Sequence, residues 1–312
     1  MFGVFGDGRE EAGVPDILGL QSRWRPGMRI TRRDWLAGAG GALLLGLGCT
    51  GSRAERPLLG LGLLHLDPVQ GDLDANVALI ERGMRLAAAR GARWVLTPEM
   101  ALPGYLFRSV LGLDWIGVQP DPWTARLAAV CQELGLVLFL GTAERDASTG
   151  LLHNSLLVLG PAGSILGRHR KINVIPGFGE GWATPGGPAE PVRVGALSVG
   201  MLICADAYNA KPAADLAQRG AQLLVSGAAW MPGEMGPNGA WEDRTRETGL
   251  PLVVCNRTGV EEDMDWREAE SVAIQGGQRV MNHCGPGSRL LREDLFLDDH
   301  TWSGAGLEPL AF

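Results

Sequence analysis

Three side chains in this sequence could together break a carbonyl carbon–nitrogen bond. Cys204 ends the apolar run ALSVGMLIC (196–204), Glu99 follows WVLTP (94–98), and Lys171 follows the basic run Arg168–Arg170. Each stands just past an apolar stretch or turn, where α/β folds place catalytic groups. A free thiol titrates near ~8.5 and is mostly protonated at neutral pH, so it needs a base; the Glu99 carboxylate can be that base. Attack of the thiolate on a carbonyl carbon builds negative charge on the oxygen. Lys171 and a backbone N–H, that of Ala205, could hold this charge. Glu99 would then give its proton to the departing amine or ammonia and activate the water that frees the acyl group from sulfur. None of the five histidines stands in a triad context, and His153, before Asn154, reads as structural. Taken singly, each residue has an ordinary explanation. A strand-end carboxylate is usually solvated or caps a helix, a lysine beside two arginines is usually a solvated charge, and a strand-end cysteine is usually a small core residue.

The elements that must position these groups alternate between two periods. LLGLGLLHLD (58–67) reads as a buried strand, and 72–90 carries apolar residues at helical spacing, with Asp72 or Asp74 to cap its start and Gly91 to end it. ARWVLTP (92–98) is a second strand, 122–134 a helix opened by Pro122, and 136–144 and 155–160 are further strands. After the strand 196–204, a helix across 212–219, a strand at 221–228, a helix at 240–248, and strands at 251–256 and 271–275 follow. Repeated strand–helix–strand units predict an α/β fold with helices covering sheets.

The segments around the three residues resemble the nitrilase, or carbon–nitrogen hydrolase, superfamily. LTPEMALPGY (96–105) is similar to its strand–Pro–Glu–loop–Gly–Tyr motif, HNSLLVLGPAGSILGRHRK (153–171) to its Asn–strand–turn–Lys motif, and VGMLICAD (199–206) to its Gly–strand–Cys–acid motif. DLDANVALIERG (72–83) resembles the first helix and VVCNRTG (253–259) the strand carrying Asn-Arg-x-Gly. The resemblance runs from about Leu58 to about Asp294 and keeps the order Glu, Lys, Cys. It implies a four-layer α-β-β-α sandwich with pseudo-twofold halves, a homodimer or higher homo-oligomer, and the catalytic set Glu99, Lys171 and Cys204. It also implies a supporting second glutamate, which the match to GTAERD assigns to Glu144.

Departures bear on the substrate. Ala205 follows the nucleophile where many amidase-type members have an aromatic residue, and Tyr208, Asn209 and Ala210 replace a usual Phe-Pro-Glu. Asp206, two after the cysteine, fits amidase-like branches; nitrile-hydrolysing ones usually carry Trp-Glu. The expectation is therefore a small-molecule amide or N-carbamoyl substrate cleaved through a cysteine thioester, with nitrile hydrolysis or a non-catalytic binding role as the alternatives. An acyltransferase of this superfamily would carry several membrane spans, and a metal or redox protein would need spaced Cys/His ligands. Tyr105, Trp182 and Trp230 are the candidate pocket residues. No metal and no cofactor is expected.

Composition limits the remaining classes. The 312 residues, 46% hydrophobic and 20% charged, can build one sizeable core, and no linker divides the middle. A net charge of −7 without a basic stripe gives no support for nucleic-acid binding. No pair of the five cysteines has CxxC spacing. Before the body, TRRDWLA (31–37) and the uncharged Gly/Ala/Leu run 38–48 resemble a twin-arginine export signal, with Arg32 and Arg33 as the pair. That predicts 1–50 as a disordered start plus signal, 51–312 as the hydrolase domain, engagement of the twin-arginine machinery, and a periplasmic or envelope location. Lipidation at Cys49 and ordinary cleavage nearby remain alternatives, and MRITRRDWL at Met28 reads as a natural start.

Overall fold

Apolar, β-branched and leucine-rich runs that are too short for helices pair into two sheets, and the amphipathic segments between them become their cover. The computed structural model describes residues 56–233 and 236–312; the Arg32–Arg33 pair, Cys49 and the rest of 1–50 lie outside the described residues. In chain order the elements are β1 (Leu58–His65), α1 (Leu73–Ala89), β2 (Trp94–Leu96), the single turn α2 (Arg108–Leu111), α3 (Pro122–Leu134), β3 (Val137–Arg145), β4 (Leu152–Leu159) and β5 (Ile165–Arg170). There follow β6 (Val192–Val194), β7 (Leu197–Ile203), α4 (Ala210–Gln218), β8 (Leu223–Ala228), α5 (Ala240–Thr248) and β9 (Leu252–Asn256). A small hairpin, β10 (Val260–Glu261) and β11 (Met264–Asp265), precedes β12 (Ser271–Gln275), β13 (Gln278–His283), β14 (Arg289–Phe296) and β15 (Leu307–Ala311).

The first sheet runs β15-β14-β1-β2-β3-β4-β5 and the second β13-β12-β9-β8-β7-β6. Each has a parallel centre, β1-β2-β3 in one and β7-β8-β9 in the other, with antiparallel flanks. This repetition is the pseudo-twofold relation the resemblance implied. Helices α1 and α3 cover the outer face of the first sheet, where Val77, Ile80 and Met84 pack with Leu64, Val95 and Leu138. Between the sheets Leu61, Leu63 and Phe139 share a core with Val199 and Met201, and Leu216 and Trp241 bring α4 and α5 onto the same cluster. The layers are therefore α-β-β-α. Each such side chain contributes about 1.5–3 kcal/mol on burial.

The sequence reading differs from the structure mainly at the C-terminal end. β14 pairs along the whole of β1, and β15 extends that sheet, yet neither strand was anticipated. The β14 sequence RLLREDLF mixes Arg292, Glu293 and Asp294 among its apolar residues, which masks the strand period. β13, QRVMNH, is an exposed sheet edge without an apolar face. Helix α4 starts at Ala210, two residues before the expected Pro212, because proline is tolerated in a helix's first turn.

Two glycines pinch the segment after β2 between the sheets. A Cβ on Gly141 of β3 would lie 2.1 Å from the Pro98 carbonyl oxygen and 3.0 Å from the Glu99 Cα. A Cβ on Gly227 of β8 would lie 3.0 Å from the Thr97 oxygen and 3.1 Å from the Glu99 nitrogen. The Pro98–Glu99 backbone thus threads a gap that only glycine leaves open. Gly141→Ala is expected to cost about 1–3 kcal/mol by overpacking. Gly187→Ala, where nothing lies within 4 Å of the added carbon, should stay within about 0.5 kcal/mol of the parent. Urea unfolding midpoints at constant m-value would check both.

Candidate active site

Glu99, beyond β2, Lys171, directly after the edge strand β5, and Cys204, directly after β7, converge at strand ends, and none of them is solvated. Glu99 and Lys171 are each 1% exposed, and Cys204 is 5% exposed. The Lys171 Nζ lies 2.8 Å from Glu99 Oε1 and 2.8 Å from both carboxylate oxygens of Glu180. Asn154 Nδ2 donates to Glu99 Oε1 at 2.7 Å and to Glu180 Oε1 at 2.6 Å, so one amide spans the two carboxylates. Backbone N–H groups complete the set: Ala229 donates to Glu99 Oε2 at 3.0 Å and Ile175 to Glu180 Oε2 at 2.7 Å. Burial alone would lower the Lys171 pKa, but the anionic surroundings, the charge of Glu99 first, more than offset it and hold the ammonium well above the usual range. Burial, then the like charge of Glu99, pushes the Glu180 carboxyl up to about 7. Burial and the same Glu99 charge push the Cys204 thiol well above its ordinary value, so at rest it carries its proton.

Cys204 sits on a sharp turn. Its φ is +45°, a left-handed conformation uncommon for a residue with a Cβ, between β7 and the 3-10 turn Cys204–Tyr208. Met100, directly after Glu99, also has positive φ, at +53°. Such strain persists only where surrounding contacts impose it, and here the buried Asp206 imposes it. Its carboxylate accepts from Ile203 N at 3.0 Å, from Ile172 N at 2.9 Å and from Asn173 N at 2.8 Å, and it meets His169 Nε2 at 2.7 Å. One side chain therefore ties the cysteine turn to the segment that carries Lys171. Burial opposes its charge, but the His169 bond and the backbone donors outweigh this and hold the carboxyl below its usual range.

A small pocket, about 70 Å³ in volume, opens onto Cys204 and Lys171. Tyr105, Trp230 and Ala205, expected at the site, all line it. Trp182 does not; its ring packs edge-on against Phe107, 5.2 Å between centroids, in the small cluster beneath the pocket loops. Glu144 is also not at the site. Its carboxylate accepts from Arg168 at 2.5 Å, Arg170 at 2.7 Å and Ser155 at 2.9 Å. The strand period explains why: β3 and β4 pair Ala143 with Asn154, so Glu144, one residue on, faces away from the sheet interface with its neighbour Ser155.

The second carboxylate on Lys171 is Glu180, which sequence reasoning passed over although it lies in FGEGWATPGG, beside the singled-out Trp182. The available signal is an acid nine residues after Lys171 in a glycine-rich loop, where no strand end marks it. Asn154 stands in the sequence only as the start of the Asn–strand–turn–Lys segment, which gives no sign of its two carboxylate partners. Ile175, Phe178, Met231 and Met264, which also line the pocket, gave no signal because apolar loop residues look like ordinary packing.

An α-β-β-α sandwich with a buried Glu–Lys–Cys set at its strand ends defines the class. The Carbon-nitrogen hydrolase family profile matches residues 61–286, and the chain belongs to that family. Among curated relatives, Omega-amidase NIT2 of Mus musculus is 31% identical over 69% of this chain and 80% of its own length. The Glutamine-dependent NAD(+) synthetase of Thermotoga maritima is 24% identical over 76% of this chain, which spans only 41% of that protein's length. The Nitrilase of Pyrococcus abyssi is 30% identical over 52% of this chain, with 62% of its length covered. Among solved structures, an amidase of the nitrilase superfamily from Nesterenkonia AN1 superposes with TM-score 0.68 at 23% identity, covering 78% of this chain and 92% of that one. In another structure of that amidase, fluoroacetamide's acetamide moiety is covalently attached to the active-site cysteine.

Asp206→Asn puts an amide N–H₂ where the carboxylate now accepts from backbone and His169. It is expected to lower stability by about 1–3 kcal/mol, the cost of leaving buried partners unsatisfied. Thermal and urea unfolding would measure the loss, and an unchanged midpoint would show that Asp206 does not hold the turn.

Proposed function

We propose that this protein hydrolyses a non-peptide carbon–nitrogen bond of a small molecule, an amide or N-carbamoyl compound, through a thioester on Cys204. The observation that carries the proposal is a buried ammonium held between two carboxylates beside a buried thiol on a strained turn. A fold does not need this arrangement for stability, since buried ion pairs rarely stabilise more than apolar packing would.

The resting thiol is protonated, so its proton passes to Glu99 as sulfur attacks the carbonyl carbon. The negative charge that develops on oxygen is met by the Lys171 ammonium and the Ala205 backbone N–H. The carbon–nitrogen bond then breaks, and the leaving nitrogen takes the proton from Glu99. Water loses a proton to Glu99 and attacks the thioester; the carbon–sulfur bond breaks, the carboxylic acid leaves and the proton returns to sulfur. Glu180 fixes Lys171 through both of its oxygens, and Asn154 holds the two carboxylates in place by donating to both.

Ammonia release by the purified protein from a panel of primary amides, N-carbamoyl compounds and nitriles tests this, with intact mass to trap an acyl adduct. Ammonia from amides together with a Cys204 adduct, both lost in Cys204→Ala, is the expected result; activity that persists in Cys204→Ala overturns the proposal. Release from nitriles alone would favour the nitrilase reading.

The Glu180 shift sets a pH dependence. Its carboxyl is neutral below about 7 and charged above it, so Lys171 loses one anionic partner as pH falls. The kcat/KM is expected to rise with pH through that value. In Glu180→Gln this rise should disappear, with activity at pH 8 reduced by about tenfold or more. An unchanged profile in the variant would separate Glu180 from the chemistry.

A further inference from the structure

The pocket before Cys204 is equipped for an acyl group without charge. Ile175, Phe178, Trp230, Met231 and Met264 form its apolar walls. Its neutral polar groups are the phenols of Tyr105 and Tyr208. Tyr208 stands 46% exposed at the mouth, its ring 4.5 Å from that of Trp230. Among the described lining residues Lys171 alone carries a charge, and its ammonium already contacts Glu99 and Glu180. Two carboxylates facing one ammonium leave the site negative when all are ionised. A substrate carboxylate placed beyond the reacting carbonyl would be buried without a cation and near a like-signed cluster, and both effects oppose binding.

We propose that the substrates are amides of uncharged, apolar acyl groups, branched aliphatic or aryl, and that the pocket rejects amides whose acyl part carries a carboxylate. This rests on the hydrolase reading of the same site. Tyr105 lines the pocket as a neutral group and offers a substrate anion no charge. Its ring is buried against Trp266, and its phenol, held protonated by burial, is a neutral donor beside the reacting centre. The apolar walls take the remainder of the acyl chain.

The test has two arms. In the first, kcat/KM is compared for 4-methylpentanamide and succinamate, which differ chiefly by an isopropyl group in place of a carboxylate. The neutral amide is expected to be preferred by about 100-fold or more. In the second, the protein is treated with iodoacetamide or iodoacetate; sulfur displaces iodide, a carbon–sulfur bond forms, and the thiol proton is lost to Glu99 or solvent. Labelling of Cys204 is measured by peptide mass relative to the exposed Cys284. That ratio should fall by about tenfold or more with the anionic reagent.

If neither amide is turned over but Cys204 still prefers the neutral reagent, the hydrolase reading fails and the pocket assignment stands. Succinamate turned over within about tenfold of its isostere, equal labelling of Cys204 by both reagents, or labelling by neither would overturn the assignment. Tyr208→Arg places a cation at the exposed mouth, at the loss of the ring contact and hydrogen bond with Trp230, and unfolding midpoints would show whether the fold is kept. It should raise kcat/KM for succinamate by about tenfold or more; no gain would mean that missing charge is not what excludes it.

Discussion

Keeping an ammonium ion dry sets the terms for the rest of this structure. Lys171 is 1% exposed, and each anion that neutralises it has further donors of its own. Removing any one partner from a buried pair of this kind costs about 3–5 kcal/mol, so the groups persist as a set. The set is drawn from widely separated parts of the chain: the segment after β2, the start of β4, the segment after β5, the loop at Glu180 and the residue after β8. No local motif could assemble it. The two sheets, held by their shared apolar layer, bring these segments within hydrogen-bonding distance.

That requirement accounts for the unusual backbone. Glu99 must reach Lys171 from a strand end lying in the sheet interface, and Gly141 and Gly227 leave the room for it. Cys204 must turn out of β7 at once, which the left-handed φ permits and Asp206 enforces. A similar lock on the outer side shapes the pocket. Glu261 accepts from the Tyr105 and Leu106 N–H groups and pairs with buried Arg257, which lies over the Trp266 ring. The segment after Glu99 is thereby held at the same relation to the second sheet as Glu99 itself.

Much of this is legible in the sequence. The central strands followed from their apolar runs, α1 from apolar periodicity and α3 from its opening proline, and Glu99, Lys171 and Cys204 from residue type, strand-end position and order. The rest was hidden for physical reasons. β14 is half-buried and charged, so its period is diluted; β13 is an edge with no face to bury. Glu180 lies in a loop, where no periodicity indicates direction, and only the tertiary fold turns it onto Lys171. Trp182 and Trp230 look alike as tryptophans in glycine-rich loops, and only packing distinguishes the core ring from the pocket ring.

Glu144 is different, because the sequence held enough to exclude it. Residues of β3 alternate: Leu138 and Leu140 pack with the outer helices and Phe139 with the inter-sheet core. Continuing that alternation puts Gly141 and Ala143 inward and Thr142 and Glu144 outward. The same alternation on β4 and β5 puts Asn154 and His169 inward, toward Glu99 and Asp206, and Ser155, Arg168 and Arg170 outward, where they bind Glu144. Resemblance assigned the role by residue type and position near a strand end, but a strand end has two faces. Parity along the strand decides which face an acid reaches, and it separates the glutamate that neutralises two surface arginines from those that hold the buried lysine.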